Sequence, residues 1–209
     1  MNIAVLHAHH SNIDYMEPLL ATKTTKQLHY VDPGLLYIIP KHSTLRIKKL
    51  VAQQLARIAE SNPDLILITC TNYALYIEDP SISEIPIIKL DDLFFRSLQS
   101  FNKASLYFTN PQTVAGTMKR MNDYTKNSIP KNYQTHVIEG IFDWIMANEK
   151  DKYDQAIVQY ILEKPPEHVI AFPQLSMSNA AKILRQEGLE VLTPIDALQK
   201  YLYSYRKLQ

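Results

Sequence analysis

Four apolar runs along the chain each stop abruptly in a cluster of polar residues. Ile3 to Leu6 gives way to His7-Ala8-His9-His10-Ser11-Asn12. Leu65 to Ile68 follows the turn signal Asn62-Pro63-Asp64 and ends in Thr69-Cys70-Thr71-Asn72. Ala104 to Phe108 ends in Thr109-Asn110-Pro111-Gln112-Thr113, and Val169 to Phe172 ends in Pro173-Gln174-Leu175-Ser176-Met177-Ser178-Asn179. None of the four alternates apolar with polar, and all are too short for a helix, so each reads as a strand buried on both faces. Weaker strands are predicted at Gln27 to Val31, Ile85 to Leu90, Thr135 to Ile138 and Val191-Leu192. Pro86 assigns the second of these to the periphery of a sheet.

Between the runs the period changes. Ser11 or Asn12 can cap a helix through Leu20. Ser43 or Thr44 can cap a long one to Ser61, whose apolar positions Leu45, Leu50, Val51, Leu55 and Ile58 keep helical spacing. Leu35 to Ile39 is apolar but is cut by Pro40. Further helices are predicted from Asp91 to Ser100, after Thr113 to Tyr124, over Phe142 to Asn148, over Lys152 to Leu162, and up to Arg185, with Gly188 as a stop. Pro194 opens a last helix.

Strands alternating with helices predict a parallel α/β architecture. The order of elements repeats once. The expected fold is two similar Rossmann-like α/β subdomains facing a shared cleft. The first would be residues 1–98 plus the final helix, 195–209, and the second residues 99–194. Ligands of open parallel sheets bind at the carboxyl ends of strands, so the four polar tips are the places to look for chemistry.

Composition narrows the field. Net charge is +1 and no run of Lys and Arg is long enough to form a basic patch, which excludes a bulk nucleic-acid or membrane-surface role. One cysteine rules out a disulfide framework and a Cys-rich zinc site, and fits a reduced, cytoplasmic setting. The N-terminus has no basic segment of the signal-peptide kind, and no apolar stretch approaches a membrane span. Four glycines, with no GxGxxG or GxxxxGK[ST], leave no glycine-rich nucleotide loop.

What the tips offer is one thiol, hydroxyls, amides and histidines. Hydroxyls, amides and backbone N–H groups at helix starts suit a carboxylate or phosphate, bound here through dipoles because the tips carry no lysine. His7 and His9 fall on one side of a strand tip and His10 on the other. Two histidines without a converging Cys or Glu are a poor zinc set, so no metal is expected. A histidine hydrogen-bonding to, or shuttling protons with, Cys70 fits better. A free cysteine can equally be a small buried residue.

These motifs and their order resemble the aspartate/glutamate/hydantoin racemase superfamily over nearly the whole chain. Thr69-Cys70-Thr71-Asn72 is similar to the first-half cysteine motif, and Thr109-Asn110-Pro111-Gln112-Thr113-Val114 to the loop opening the second half. Ala171-Phe172-Pro173-Gln174-Leu175-Ser176-Met177 stands where members carry a Gly-Cys-Thr motif, in an Ala-Gln-x-Ser-Met form. The resemblance implies cofactor-free proton transfer at the α-carbon of a small carboxylate by two thiols on opposite faces. Only the first is here; Gln174 takes the second position, and an amide neither donates nor accepts a proton as acid or base near neutral pH.

The expected function is therefore a racemase-, isomerase- or lyase-like enzyme, active without a cofactor, with Cys70 as proton-transfer group or nucleophile and His7 or His9 as partner. Ser11, Asn12, Thr71, Asn72, Thr109, Asn110, Thr113, Gln174 and Ser176 would bind the substrate. The alternative is a non-catalytic carboxylate-binding protein that has lost half of the thiol pair. The resemblance and the Tyr-rich C-terminus admit a homodimer.

Overall fold

The structure, a computed structural model, describes residues 1–125 and 132–207. The chain divides into two compact units, residues 1–91 and 92–209, with the boundary two residues inside a helix.

In the first unit, strands β1 (Asn2–His7), β2 (Lys26–Val31), β3 (Leu65–Ile68) and β5 (Ile85–Lys89) are parallel, and the two-residue β4 (Ser81–Ile82) closes one edge antiparallel to β5. The sheet order is β2-β1-β3-β5-β4. Pro86 is opposite Ser81 of β4, so β5 is the last parallel strand, in keeping with its proline. Helices α1 (Ile13–Leu20), α2 (Gly34–Ile38), α3 (Thr44–Ala59) and α4 (Thr71–Ala74) lie between the strands, and α5 (Leu90–Leu98) crosses the boundary. β1 and β3 are central and their apolar residues are fully enclosed, as a parallel sheet covered on both faces requires.

Helix α3 begins where the Ser43 hydroxyl accepts from the Arg46 N–H. It buries Ile47, Val51, Leu55 and Ile58 against Ala4, Leu6, Ile66 and Ile68. Leu45, predicted on the apolar face, is instead exposed, and Leu50 is half-buried. Two residues advance about 200° round a helix, so Leu45 and Ile47 cannot share a face, and the stripe belongs to Ile47.

The second unit repeats the plan with four parallel strands, β6 (Lys103–Phe108), β7 (Asn132–Val137), β8 (Val169–Ala171) and β9 (Val191–Leu192), in the order β7-β6-β8-β9. Helices α6 (Pro111–Thr125), α7 (Phe142–Met146), α8 (Lys150–Glu163), α9 (Ser178–Gln186) and α10 (Pro194–Lys207) complete it. α8 and α9 cover one face, packing Tyr153, Ile157, Ile161, Ala180 and Leu184 on Ile170, Phe172 and Tyr107. Helix starts are fixed locally. Asn110 accepts from the Gln112 N–H with Pro111 at the first helical position. Thr193 and Asp196 exchange side chain-to-backbone bonds in a capping box before α10. Gly188 ends α9 with φ +84°, a conformation that costs other residues.

Both sheets reverse their winding once: between β1 and β3 in the first unit, between β6 and β8 in the second. At such a switch point the loops leave in opposite directions and open a crevice at the carboxyl ends of the strands. The four polar tips flank those two points.

Candidate functional site

In the first unit, parallel register puts Leu6 beside Ile68, so the tips beginning at His7 and Thr69 emerge side by side. Thr69 binds back to β1: its N–H and its hydroxyl both donate to the Leu6 carbonyl, each at 3.1 Å. The Thr69 oxygen also meets His7 Nδ1 at 3.0 Å, and Asn12 Nδ2 approaches it at 3.5 Å. His7 Nε2 meets His29 Nδ1 at 2.9 Å, the two rings stacked. His29 Nε2 faces the Gln27 side-chain oxygen at 3.2 Å. His7 is wholly buried, and burial, with His29 adding to it, lowers its pKa to about 4. It is a neutral strut with both ring nitrogens engaged.

His9 is placed differently. Its Nδ1 accepts from the Ser11 N–H at 3.2 Å and meets the Ser11 hydroxyl at 2.8 Å, so its other nitrogen, Nε2, carries the hydrogen. Burial, then neighbouring His10, lowers its pKa, which keeps it neutral at neutral pH. Of the two histidines predicted for catalysis, His9 is the one with a ring N–H left to present to a ligand.

Cys70 occupies the last extended position before α4, half-buried, with Thr71 and Asn72 beginning the helix. Burial pushes its thiol up to about 11; the backbone N–H groups of Tyr73 and Asn72 pull the other way, and the charge of Asp91 adds to the rise. At neutral pH the group is a thiol. Its loop is pinned from behind. Tyr73, fully buried, donates its phenol proton to the Asp32 carboxylate at 2.5 Å and approaches the Asp32 carbonyl at 3.1 Å, while Gly34 N–H donates to the other carboxylate oxygen at 2.9 Å. Asp32 and Tyr73 carry no motif of their own. In the sequence Asp32-Pro33-Gly34 is a turn signal, and it closes β2 at the same end of the sheet.

In the second unit Thr109, Asn110, Gln174 and Ser176 do come together. The Gln174 side-chain oxygen accepts from the Thr109 N–H at 2.7 Å, the Thr109 hydroxyl at 3.3 Å and the Asn110 N–H at 3.4 Å. Beneath, the buried phenol of Tyr153 joins the Thr109 and Ser176 hydroxyls at 2.8 and 2.9 Å. Tyr153 had no signal beyond a helical apolar position. Thr113 is turned to a structural use, its hydroxyl donating to the Asn110 carbonyl at 2.8 Å. Among the described residues no three His, Cys, Asp or Glu side chains gather as a metal site, and no helix is long and apolar enough to cross a membrane.

No protein-family model matches the chain, and no curated protein matches it by sequence. Solved structures match by shape. An aspartate racemase from Picrophilus torridus is similar over 98% of this chain and 93% of its own, with a TM-score of 0.72 and 12% identity. An allantoin racemase from Klebsiella pneumoniae is similar over 100% of this chain and 88% of its own, at 0.69 and 16%. A glutamate racemase from Bacillus anthracis is similar over 99% of this chain and 81% of its own, at 0.70 and 10%. The fold is that of the aspartate/glutamate racemase structures.

Proposed function

We propose that this chain, built on a racemase fold, is an isomerase-type enzyme that acts on a small carboxylate without a cofactor, with Cys70 as its proton-transfer group. One observation carries the reading: the sole thiol stands at the carboxyl end of a central strand, beside the switch point of its sheet, among hydroxyl and amide side chains. The three neighbours named above are racemases, and extending that chemistry to this chain is part of the proposal.

The roles follow from the groups present. Ser11, Asn12, Thr71, Asn72 and the outward N–H of His9 supply neutral donors for the substrate carboxylate. Cys70, as thiolate, takes the proton from the adjacent carbon; the electron pair is held in the carbonyl system of the substrate, and the thiol returns the proton to carbon. No atom is gained or lost. With a thiol near 11, roughly one molecule in 10⁴ holds the thiolate at neutral pH, so the rate is limited by that fraction. His7 is assigned to holding Thr69, next to Cys70, rather than to proton transfer.

A second reading is favoured by the same two features that slow the first. A high thiol pKa, and an amide in place of a second thiol, suit a protein that binds a small carboxylate without turning it over. A thermal-shift screen of small carboxylates, followed by turnover assays of the hits with the wild type and Cys70→Ala, separates them. Turnover lost in Cys70→Ala supports the enzyme. Binding without turnover in the wild type supports the receptor, and full turnover in the variant removes Cys70 from the mechanism.

A further inference from the structure

A cavity of about 620 Å³ opens in the second unit toward the amino ends of its strands, away from the polar tips. Small-molecule sites run roughly from 300 to 1,000 Å³. Helices α8 and α9 pack on β6 and β8, and β7 is the edge strand, so the sheet extends beyond its cover. The cavity floor lies at that margin. Parallel register sets Tyr107 beside His136 and Ser105 beside Gln134, and residues two apart share a face of the sheet. The Tyr107 and His136 rings stack at 4.7 Å with 18° between their planes. Before their tips, strands β1, β3 and β8 are apolar from Ile3, Leu65 and Val169 onward. β6 instead carries the Ser105 hydroxyl and the Tyr107 phenol, and both residues line this cavity.

The wall is the end of α8 and the turn into β8. Tyr160 stands edge-on to Tyr107 at 6.3 Å and is 44% exposed, so an aromatic ring is open at the mouth. Nearly one turn on, Glu163 ends the helix, and Lys164 and Glu167 follow on the loop. Two carboxylates thus line the cavity against one ammonium. Among the described residues neither carboxylate is in an ion pair. Glu163 accepts from the Gln159 side chain at 3.1 Å.

We infer that this cavity is a second ligand site, for a small planar organic cation of the amidinium or guanidinium kind. It stands apart from Cys70 and from the carboxylate reading above. Aromatic rings attract a cation through their quadrupole, and a flat delocalised cation can stack on a ring while its N–H groups fork onto carboxylates. Glu163 and Glu167 are those carboxylates, and Tyr160 is the open ring. The oxygens of Ser105, Tyr107 and Gln134 can accept the remaining N–H groups at the floor. An anion would meet two carboxylates and one ammonium. A hydrocarbon would cover the floor hydroxyls and amide without offering them a hydrogen bond.

The test is an amide-proton NMR titration of the isotope-labelled full chain at pH 7.5, where an ordinary histidine is mostly neutral. The probes are benzamidine, benzamide and benzoate, which share size and shape and differ in charge. Benzamidine should move the backbone N–H signals of Ser105, Tyr107, Gln134 and His136 together along one saturating curve. It should do so at about threefold lower concentration than benzamide, and benzoate should leave the four signals in place. Benzamide or benzoate moving them as readily as benzamidine overturns the assignment. Benzamidine shifts that do not saturate, or that miss these four residues, overturn it too. Tyr160→Leu and Glu167→Gln each alter one exposed side chain, so both variants should keep the fold. Each should bind benzamidine about threefold more weakly; unchanged affinity in either overturns the site.

Discussion

The Tyr73 phenol donates to the Asp32 carboxylate across 2.5 Å, linking residues 41 apart in sequence. One end of this bond is the tip of β2 and the other is the first turn after Cys70. A hydrogen bond to a charged group contributes about 1.5–3 kcal/mol. Tyr73→Phe should therefore lower stability to urea by roughly 2 kcal/mol, and it should speed alkylation of Cys70 as the loop loosens. Asp32→Asn should share the second effect. Unchanged alkylation in both variants would mean that the bond does not hold the thiol's loop.

Reactivity of Cys70 itself should track its high pKa. Because only the thiolate attacks, the alkylation rate of the folded protein should rise about tenfold per pH step between 7 and 10. A plateau beginning near the ordinary thiol value of about 8.5 would show that burial does not govern this group. Any turnover carried by the thiolate should climb over the same range.

His7 sets an acid limit. Its folded pKa, about 4, is below the ordinary histidine value of 6.5, so the unfolded chain binds the proton first. The stability it contributes is complete above pH 6.5 and is lost as pH falls through 4. The loss amounts to roughly 3 kcal/mol at most. Replacing His7 by Gln should cost stability at neutral pH through the lost contacts to Thr69 and His29, but should flatten the acid slope. Denaturant midpoints across this range check both; a slope as steep in the variant as in the wild type contradicts the assignment.

Asp154 works in the opposite sense. Burial on α8 raises its pKa from 3.8 to about 6, against the pull of the Asn179 side chain and the Ala180 N–H. Its folded state favours the proton, so its contribution is best below pH 3.8 and is lost as pH rises through 6. Asp154→Asn should stabilise the protein at neutral pH by about 1–3 kcal/mol, and the gain should vanish in acid. Differential melting at the two pH values measures it.

How much of this was legible in the sequence depended on range. The central strands were readable because a buried parallel strand must be apolar from end to end and its tip must not be. Leu65–Ile68 and Val191–Leu192 carry the predicted bounds. The edge strand β7 was entered three residues late, at Thr135, because Asn132, Tyr133 and Gln134 on an open edge need not be apolar. Helices α2 and α4 are too short to show a period, and Pro40, which interrupts the apolar segment in the sequence, stands in a one-turn 3₁₀ continuation of α2. The tip residues were visible as polar clusters. Their partners were not: His29, Asp32 and Tyr153 reach the tips across 22, 41 and 44 residues of chain, and a contact at that distance leaves no local pattern.

The central claim is that Cys70 exchanges a proton with carbon next to a carboxylate. The direct measurement is loss of the α-proton NMR signal of each carboxylate found to bind, in deuterated water, with the wild type and with Cys70→Ala. The account predicts exchange of at least one bound carboxylate by the wild type and only the uncatalysed background in Cys70→Ala. Binding without exchange in the wild type, or exchange undiminished in Cys70→Ala, would contradict it.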